Sequence, residues 1–195
     1  MKLSRSERWI LSNQYRILEK LQADETEVAY FRRCREVIDS GYEIEYGWIA
    51  DYIVDEEQCL TREDCKEVLE ILDMHRDLKY SYGELADKTG IDEADIFFGG
   101  FDGNSEVKML GYLHHLRKEG KYDMLDPGQD DFNSHISMLG AYRGMLVVWK
   151  ALRERRGVRR DSLTHEELLA VIAAKPHPNS PQGRLARTEP QGPVQ

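Results

Sequence analysis

Apolar residues recur along this chain at spacings of three and four almost throughout, and no two segments alternate apolar with polar as paired strands would. The pattern predicts an all-α fold, multihelical, with short loops. The first helix starts at Ser4, where Glu7 completes a capping box in which each residue satisfies a free backbone N–H of the other. Ile10, Ile17 and Leu21 then form an apolar stripe, widened by Leu11, Leu18 and Tyr15. With about 100° between successive residues, Gln14 falls in the middle of that stripe. It is therefore predicted to be buried and hydrogen-bonded, because an unpaired amide in a core costs roughly a few kcal/mol.

A second helix is predicted over about Glu27 to Ser40, with Val28, Phe31, Val37 and Ile38 inward. Gly41 ends it, since glycine accepts the left-handed cap conformation. Tyr42 to Val54 is short and aromatic, with no clear period. A third helix begins near Thr61, with Asp64 as capping partner, and carries Cys65, Val68, Leu69, Leu72 and Arg76. Tyr80 to Phe98 reads as one or two short helices around Thr89-Gly90, followed by a turn over Gly99 to Gly103. That turn opens a helix from about Asn104 to Glu119, closed by Gly120.

Beyond a loop from Asp126 to Asp131, a long helix covers about Ser137 to Arg155. One face carries Met138, Tyr142, Met145, Trp149 and Leu152, the other a ridge of Gly140, Gly144, Val147 and Ala151. Interior glycines cost about 1 kcal/mol each relative to alanine, so the ridge is expected to meet a helix of the same chain or of a second subunit. The last helix starts at Thr164, with Glu167 closing a second capping box and Leu168, Leu169 and Ile172 apolar. From Lys175 the chain turns to Pro, Gly, Gln and Ser, which bury too little apolar area to offset chain entropy. A single helical domain over 1–174 with a disordered tail over 175–195 is the expectation.

The net charge of −9 argues against non-specific nucleic-acid binding, which needs Lys and Arg on phosphates. Three cysteines, Cys34, Cys59 and Cys65, form no Cys-x-x-Cys pair, and suit free thiols in a reducing compartment better than a disulfide scaffold or zinc site. No apolar run approaches the roughly 18 residues of a membrane span, so a cytoplasmic location without membrane attachment is expected.

The candidate chemistry is sparse. Glu84 to Ile96 has the outline of a helix-turn-helix, but Asp92, Glu93 and Asp95 on its second half would repel DNA, which favours a packing unit. Asp102 and Glu106 are placed to cap the helix that follows the glycine turn. His75, His114, His115, His135, His165 and His177 show no metal-ligand spacing, and neither Asp51, Asp55, Glu56 and Glu57 nor Asp126, Asp130 and Asp131 follow a calcium-loop order. No metal and no cofactor are expected. Arg153, Arg155, Arg156, Arg159 and Arg160, with Lys150, form one basic patch, which also offsets a helix dipole at its C-terminal end.

Ile10-Leu11-Ser12-Asn13-Gln14-Tyr15, Gly100-Phe101-Asp102, Leu110-Gly111-Tyr112, Glu119-Gly120-Lys121-Tyr122, and Phe132-Asn133 followed by Trp149 together resemble the YfbU family over about residues 1–174. The resemblance implies a multihelical bacterial cytoplasmic protein that self-associates, and it carries over no reaction, cofactor or catalytic residue. The leading expectation is therefore a non-enzymatic interaction or regulatory protein, a homo-oligomer with a protein partner possible. Two alternatives stand beside it: an enzyme with an inter-helix site at Asp102, Tyr112, Asn133 and His135, with Gln14 a further candidate contact, and nucleic-acid binding through Arg153 to Arg160.

Overall fold

The computed structural model describes residues 1–125, 131–156 and 162–175. Among them are eight α-helices and no strand; the one β-bridge joins Phe101 to Asn133. The expected tail over 176–195 lies outside the described residues, as do Asp126 to Asp130, Arg159 and Arg160. Lys175, read from composition as the first tail residue, is held by Asp95 at 2.6 Å. The chain divides into two compact units, residues 1–59 and the chain from Leu60 onward.

In the first unit, α1 (Arg5–Leu21) and α2 (Glu25–Ser40) form an antiparallel hairpin, followed by a 3₁₀ turn at Glu43–Glu45 and the single-turn α3 (Tyr46–Ile49). The caps follow the sequence. Ser4 and Glu7 close the capping box, Asp24 caps α2, and Gly41 ends α2 at φ +72°. The core is small: Cys34, Val37, Ile38, Tyr46 and Ile49, with Leu3, Leu11, Tyr15 and Trp48 partly buried against it. Glu19 ties the hairpin together by accepting from Arg35 at 2.6 Å.

The face that α1 buries differs from the expected one. Ser12 is its one buried residue, flanked by half-buried Leu11, Tyr15, Leu18 and Glu19. Ile10, Ile17 and Leu21 are 54%, 57% and 73% exposed, and Gln14 is exposed with them. The predicted burial of Gln14 is therefore wrong. α2 packs on the side of α1 nearly opposite the most regular apolar stripe, where Tyr15 meets Phe31 at 6.2 Å and Glu19 meets Arg35.

The second unit is built on α4 (Arg62–Glu84), a 23-residue helix started by the Thr61–Asp64 capping box. Around it lie α5 (Glu93–Ile96), α6 (Val107–Lys118), α7 (Leu139–Arg156) and α8 (His165–Ala173). Val68, Ile71, Leu72, Met74 and Leu78 of α4 are fully buried, and they pack with Met145 and Trp149 of α7 and Leu168 and Val171 of α8. Tyr142, Met145 and Trp149 are buried as expected, with Met138 and Leu152 packed against the same core. On the ridge, Gly140 and Gly144 are half-buried, whereas Val147 and Ala151 stay exposed, so no helix among the described residues covers that end.

The Tyr80 to Phe98 reading also needs correction. α4 continues without a break to Glu84, and only the single turn of α5 follows Gly90. Four residues cannot form a groove-reading helix; Asp92 caps Ala94 and Asp95 anchors Lys175.

Candidate functional site

Two of the predicted site residues meet where α6 and α7 begin. Phe101 N–H donates to Phe132 O at 3.0 Å and Ser134 N–H to Phe101 O at 3.1 Å, which sets Asp102 beside Asn133. The approach requires glycine at position 100, where φ is +88° and an added Cβ would lie 1.9 Å from Phe132 O. Asp102 accepts from the backbone N–H of Asn104 and Ser105 and from the Ser105 hydroxyl at 2.6 Å. The Ser105 hydroxyl, joined by these backbone donors, holds the Asp102 carboxyl below its ordinary range. Asn133 Oδ1 accepts from Gly103 N–H and His135 N–H.

Glu106 does not cap its own helix as expected. One of its oxygens accepts from the Ser137 hydroxyl at 2.6 Å and from the N–H groups of Met138 and Leu139 at 2.9 and 2.8 Å, at the start of α7. The other accepts from Asp102 N–H at 2.9 Å. A buried carboxylate with four donors, set against the positive end of a helix, is a clamp between two helix starts. These are positions where the side chains of Asp102, Glu106 and Asn133 satisfy backbone amides.

Of the other two members of the proposed enzyme site, His135 joins the junction through its backbone N–H and not its ring, and Tyr112 takes no part in the hydrogen bonds above. Tyr112 stacks on His115, with ring centroids 6.3 Å apart. His135 is exposed at φ +56°, one of three non-glycine residues with positive φ among the described residues, with Phe132 and Tyr122. His75, which the sequence singles out only as a histidine, has the most unusual setting among the described histidines. It is 1% exposed, its Nδ1 lies 3.2 Å from Ile96 O, and its ring meets Phe98 and Tyr142 edge-on. Its Nε2 is buried without a hydrogen-bond partner. Burial pushes its pKa down to about 4, against the opposing pull of the Ile96 carbonyl. Among the described residues no three His, Cys, Asp or Glu side chains are grouped to hold a metal ion. Cys34 is buried and its thiol is pushed up by burial, the opposite of an activated nucleophile.

The first unit presents a different kind of surface. Arg5, Arg8, Trp9, Ser12, Asn13 and Arg16 of α1, with Ile38 and Asp39 of α2, line an open groove of about 250 Å³. Trp9 is 70% exposed at its edge, and next to it runs the open stripe of Ile10, Ile17 and Leu21. Every residue from Asp51 to Cys59 is exposed, Tyr52, Ile53 and Val54 among them. The sequence offers a signal for this surface, since the stripe is legible in it; periodicity does not say which side of α1 packs against α2.

A family model described as the YfbU domain matches residues 1–174. The chain belongs to the YfbU family. The match takes in both compact units and ends just before Lys175. Several segments that carry the YfbU resemblance are joints of the fold. Gly100, Phe101, Asp102, Phe132 and Asn133 make the bridge, Gly120 turns at φ +69° after α6, and Tyr122 donates to Asp73 at 3.0 Å. Trp149 Nε1 donates to Asp77 at 3.3 Å. Much of the basic patch of this YfbU domain is engaged internally. Lys150 pairs with Glu70 at 2.6 Å, Arg153 lies over the Trp149 ring at 4.6 Å from its centroid, and Arg156 binds Ser162 O and the Glu167 carboxylate. No helix among the described residues is long and apolar enough to cross a membrane.

Proposed function

We propose that this YfbU-family chain is a non-enzymatic interaction protein that works as a homo-oligomer in the bacterial cytoplasm. The observation that carries the reading is the uneven placing of apolar surface. Among the described residues, eleven large hydrophobic side chains exposed to solvent lie in residues 1–59, against six from Leu60 onward. Solitary exposed apolar residues are ordinary, whereas a contiguous set such as Trp9, Ile10, Ile17 and Leu21 on one helix marks an interaction surface. The side chains that would have served an enzyme at the α6–α7 junction are engaged with backbone N–H groups instead, which favours binding over catalysis. Three free thiols fit a reducing compartment.

Light scattering coupled to size-exclusion chromatography tests the reading. The expected mass is a multiple of the 22.7 kDa chain that falls on dilution. A mass of one chain at every concentration up to the highest attainable overturns it.

A further inference from the structure

The first unit carries two exposed surfaces of opposite charge, each with apolar residues at its centre. Residues 1–21 hold five basic residues against two acidic ones, and residues 43–57 hold six acidic residues and no basic one. On α1, Arg5, Arg8 and Arg16 converge on the groove beside Trp9, and Ile10, Ile17 and Leu21 stand open next to it. In the second segment, Tyr52, Ile53 and Val54 are 78%, 61% and 58% exposed, between Asp51 on one side and Asp55 and Glu56 on the other. An apolar triplet framed by carboxylates is the complement of an apolar stripe with three guanidinium groups along one side, which outnumber the single carboxylate of Asp39 in the same groove.

We infer that the acidic segment Asp51–Glu56 of one copy docks on the basic and apolar face of α1, centred on Trp9 and Ile17, of a second copy. This rests on the homo-oligomer reading above and names the surface through which it forms. Charge complementarity selects the partner: the face of α1 needs an acidic, apolar strip, and the chain itself carries one. Area supports the same choice. The open parts of Trp9, Ile10, Ile17, Leu21, Tyr52, Ile53 and Val54, if wholly covered, would bury at most roughly 900 Å² per copy, enough to reach the roughly 800 Å² that each partner contributes to a standard interface. Both surfaces belong to one unit, so each copy can give and receive the same contact, and the exchange is self-complementary. The charges steer and register the approach, and the apolar residues supply the driving force.

The test compares the mass of the full chain with that of surface variants by light scattering, with circular dichroism to verify helix content. Ile17→Glu and the pair Tyr52→Ser with Ile53→Ser are each expected to shift the mass toward a single chain at concentrations where the unaltered chain associates. Charge reversal gives the sharper arm. Arg5→Glu with Arg16→Glu, and separately Asp55→Lys with Glu56→Lys, are each expected to weaken association at least tenfold, and all four together to restore most of it. A full chain that associates while every variant keeps its mass overturns this surface and leaves the homo-oligomer reading standing. A full chain that is monomeric at every concentration removes both. Ile17→Glu that leaves the mass unchanged and lowers the melting temperature means that α1 is covered within its own chain, which also overturns the proposal. Charge-reversed variants that dissociate without rescue in the combination overturn the pairing of these two surfaces.

Discussion

The two units solve the same problem of burying amphipathic helices with unequal success. Among the described residues from Leu60 onward, twenty-one buried hydrophobic residues form one core, and buried polar groups such as Glu106 and Ser81 meet backbone donors. The first 59 residues bury five hydrophobic residues and leave the most regular apolar stripe of α1 open. A segment of this length draws only about 3–5 kcal/mol from one small core at best, so a contact that covered its open face would add a large share to its stability. Architecture in the second unit is therefore an internal matter, decided by polar groups that clamp one helix start to another. In the first unit, under the homo-oligomer proposal, it depends also on the contact with a second copy.

The largest effect that would break this contrast lies at Gly100. Gly100→Ala would put a Cβ on top of Phe132 O at a backbone angle that L side chains rarely adopt. Relief requires opening the Phe101–Asn133 bridge, so the loss is expected to exceed about 4 kcal/mol and to leave much of the second unit unfolded at room temperature. Urea unfolding followed by far-ultraviolet dichroism measures it. A loss below about 1 kcal/mol would show that the junction yields easily and does not govern the unit.

Glu106→Ala comes next. It strands the N–H groups of Asp102, Met138 and Leu139 and the Ser137 hydroxyl, and a loss of about 3–5 kcal/mol is expected. Glu106→Gln keeps an acceptor for α7 but turns an amide donor toward another donor, so it should fall between the two. Equal stability of the alanine variant and the unaltered chain in denaturant titration would mean that water replaces the carboxylate without cost.

His75 gives the second unit a pH dependence. In the unfolded chain this histidine takes a proton near its ordinary pKa of 6.5, and in the folded chain only near 4. Below pH 6.5 the unfolded state therefore binds more protons, and stability falls as pH drops from about 6.5 to 4, by roughly 3 kcal/mol over the whole window. Above 6.5 both states are neutral at this site and the dependence vanishes. His75→Phe should flatten the profile in that window. An unchanged slope of stability against pH in the variant would show that other groups produce the acid sensitivity.

What the sequence disclosed and what it withheld divide along the same physical line. Caps are local: Ser4 with Glu7, Thr61 with Asp64, Thr164 with Glu167, and Gly41 are read within four residues, and each stands in the structure. The all-helical architecture and the inward face of α7 follow from periodicity, which is also local. Glu106 reaching Ser137 across 31 positions has no local signature, because the acceptor's identity is set by where two helix starts meet. Nor does periodicity say what covers a stripe. Ile10, Ile17 and Leu21 were rightly seen as one face, yet α2 took the side with Ser12, Tyr15 and Glu19, where an ion pair and two rings close the hairpin. Asp102 and Asn133 were found together, but as caps; side-chain type and spacing alone do not tell a cap from a catalytic group.

The smallest expected effect concerns the residue whose burial was misjudged. Gln14 lies exposed between Ile10 and Ile17 on the open stripe, and no hydrogen bond from its amide holds the hairpin. Replacing an exposed glutamine on a helix by alanine removes little and adds slightly to helix propensity, so Gln14→Ala should change stability by less than about 0.5 kcal/mol in dilute solution. That corresponds to a shift of about 2 °C at most for a chain of this size. The informative comparison is with concentrated solution. If a second copy covers the stripe, Gln14 becomes a polar group inside an apolar contact, and alanine there should leave association intact or strengthen it. Melting curves of Gln14→Ala and the unaltered chain at two concentrations, a hundredfold apart, separate the cases. A drop of more than about 4 °C in the dilute sample would mean that the amide is buried and bonded within a single chain, and that the open face of the first unit is not open.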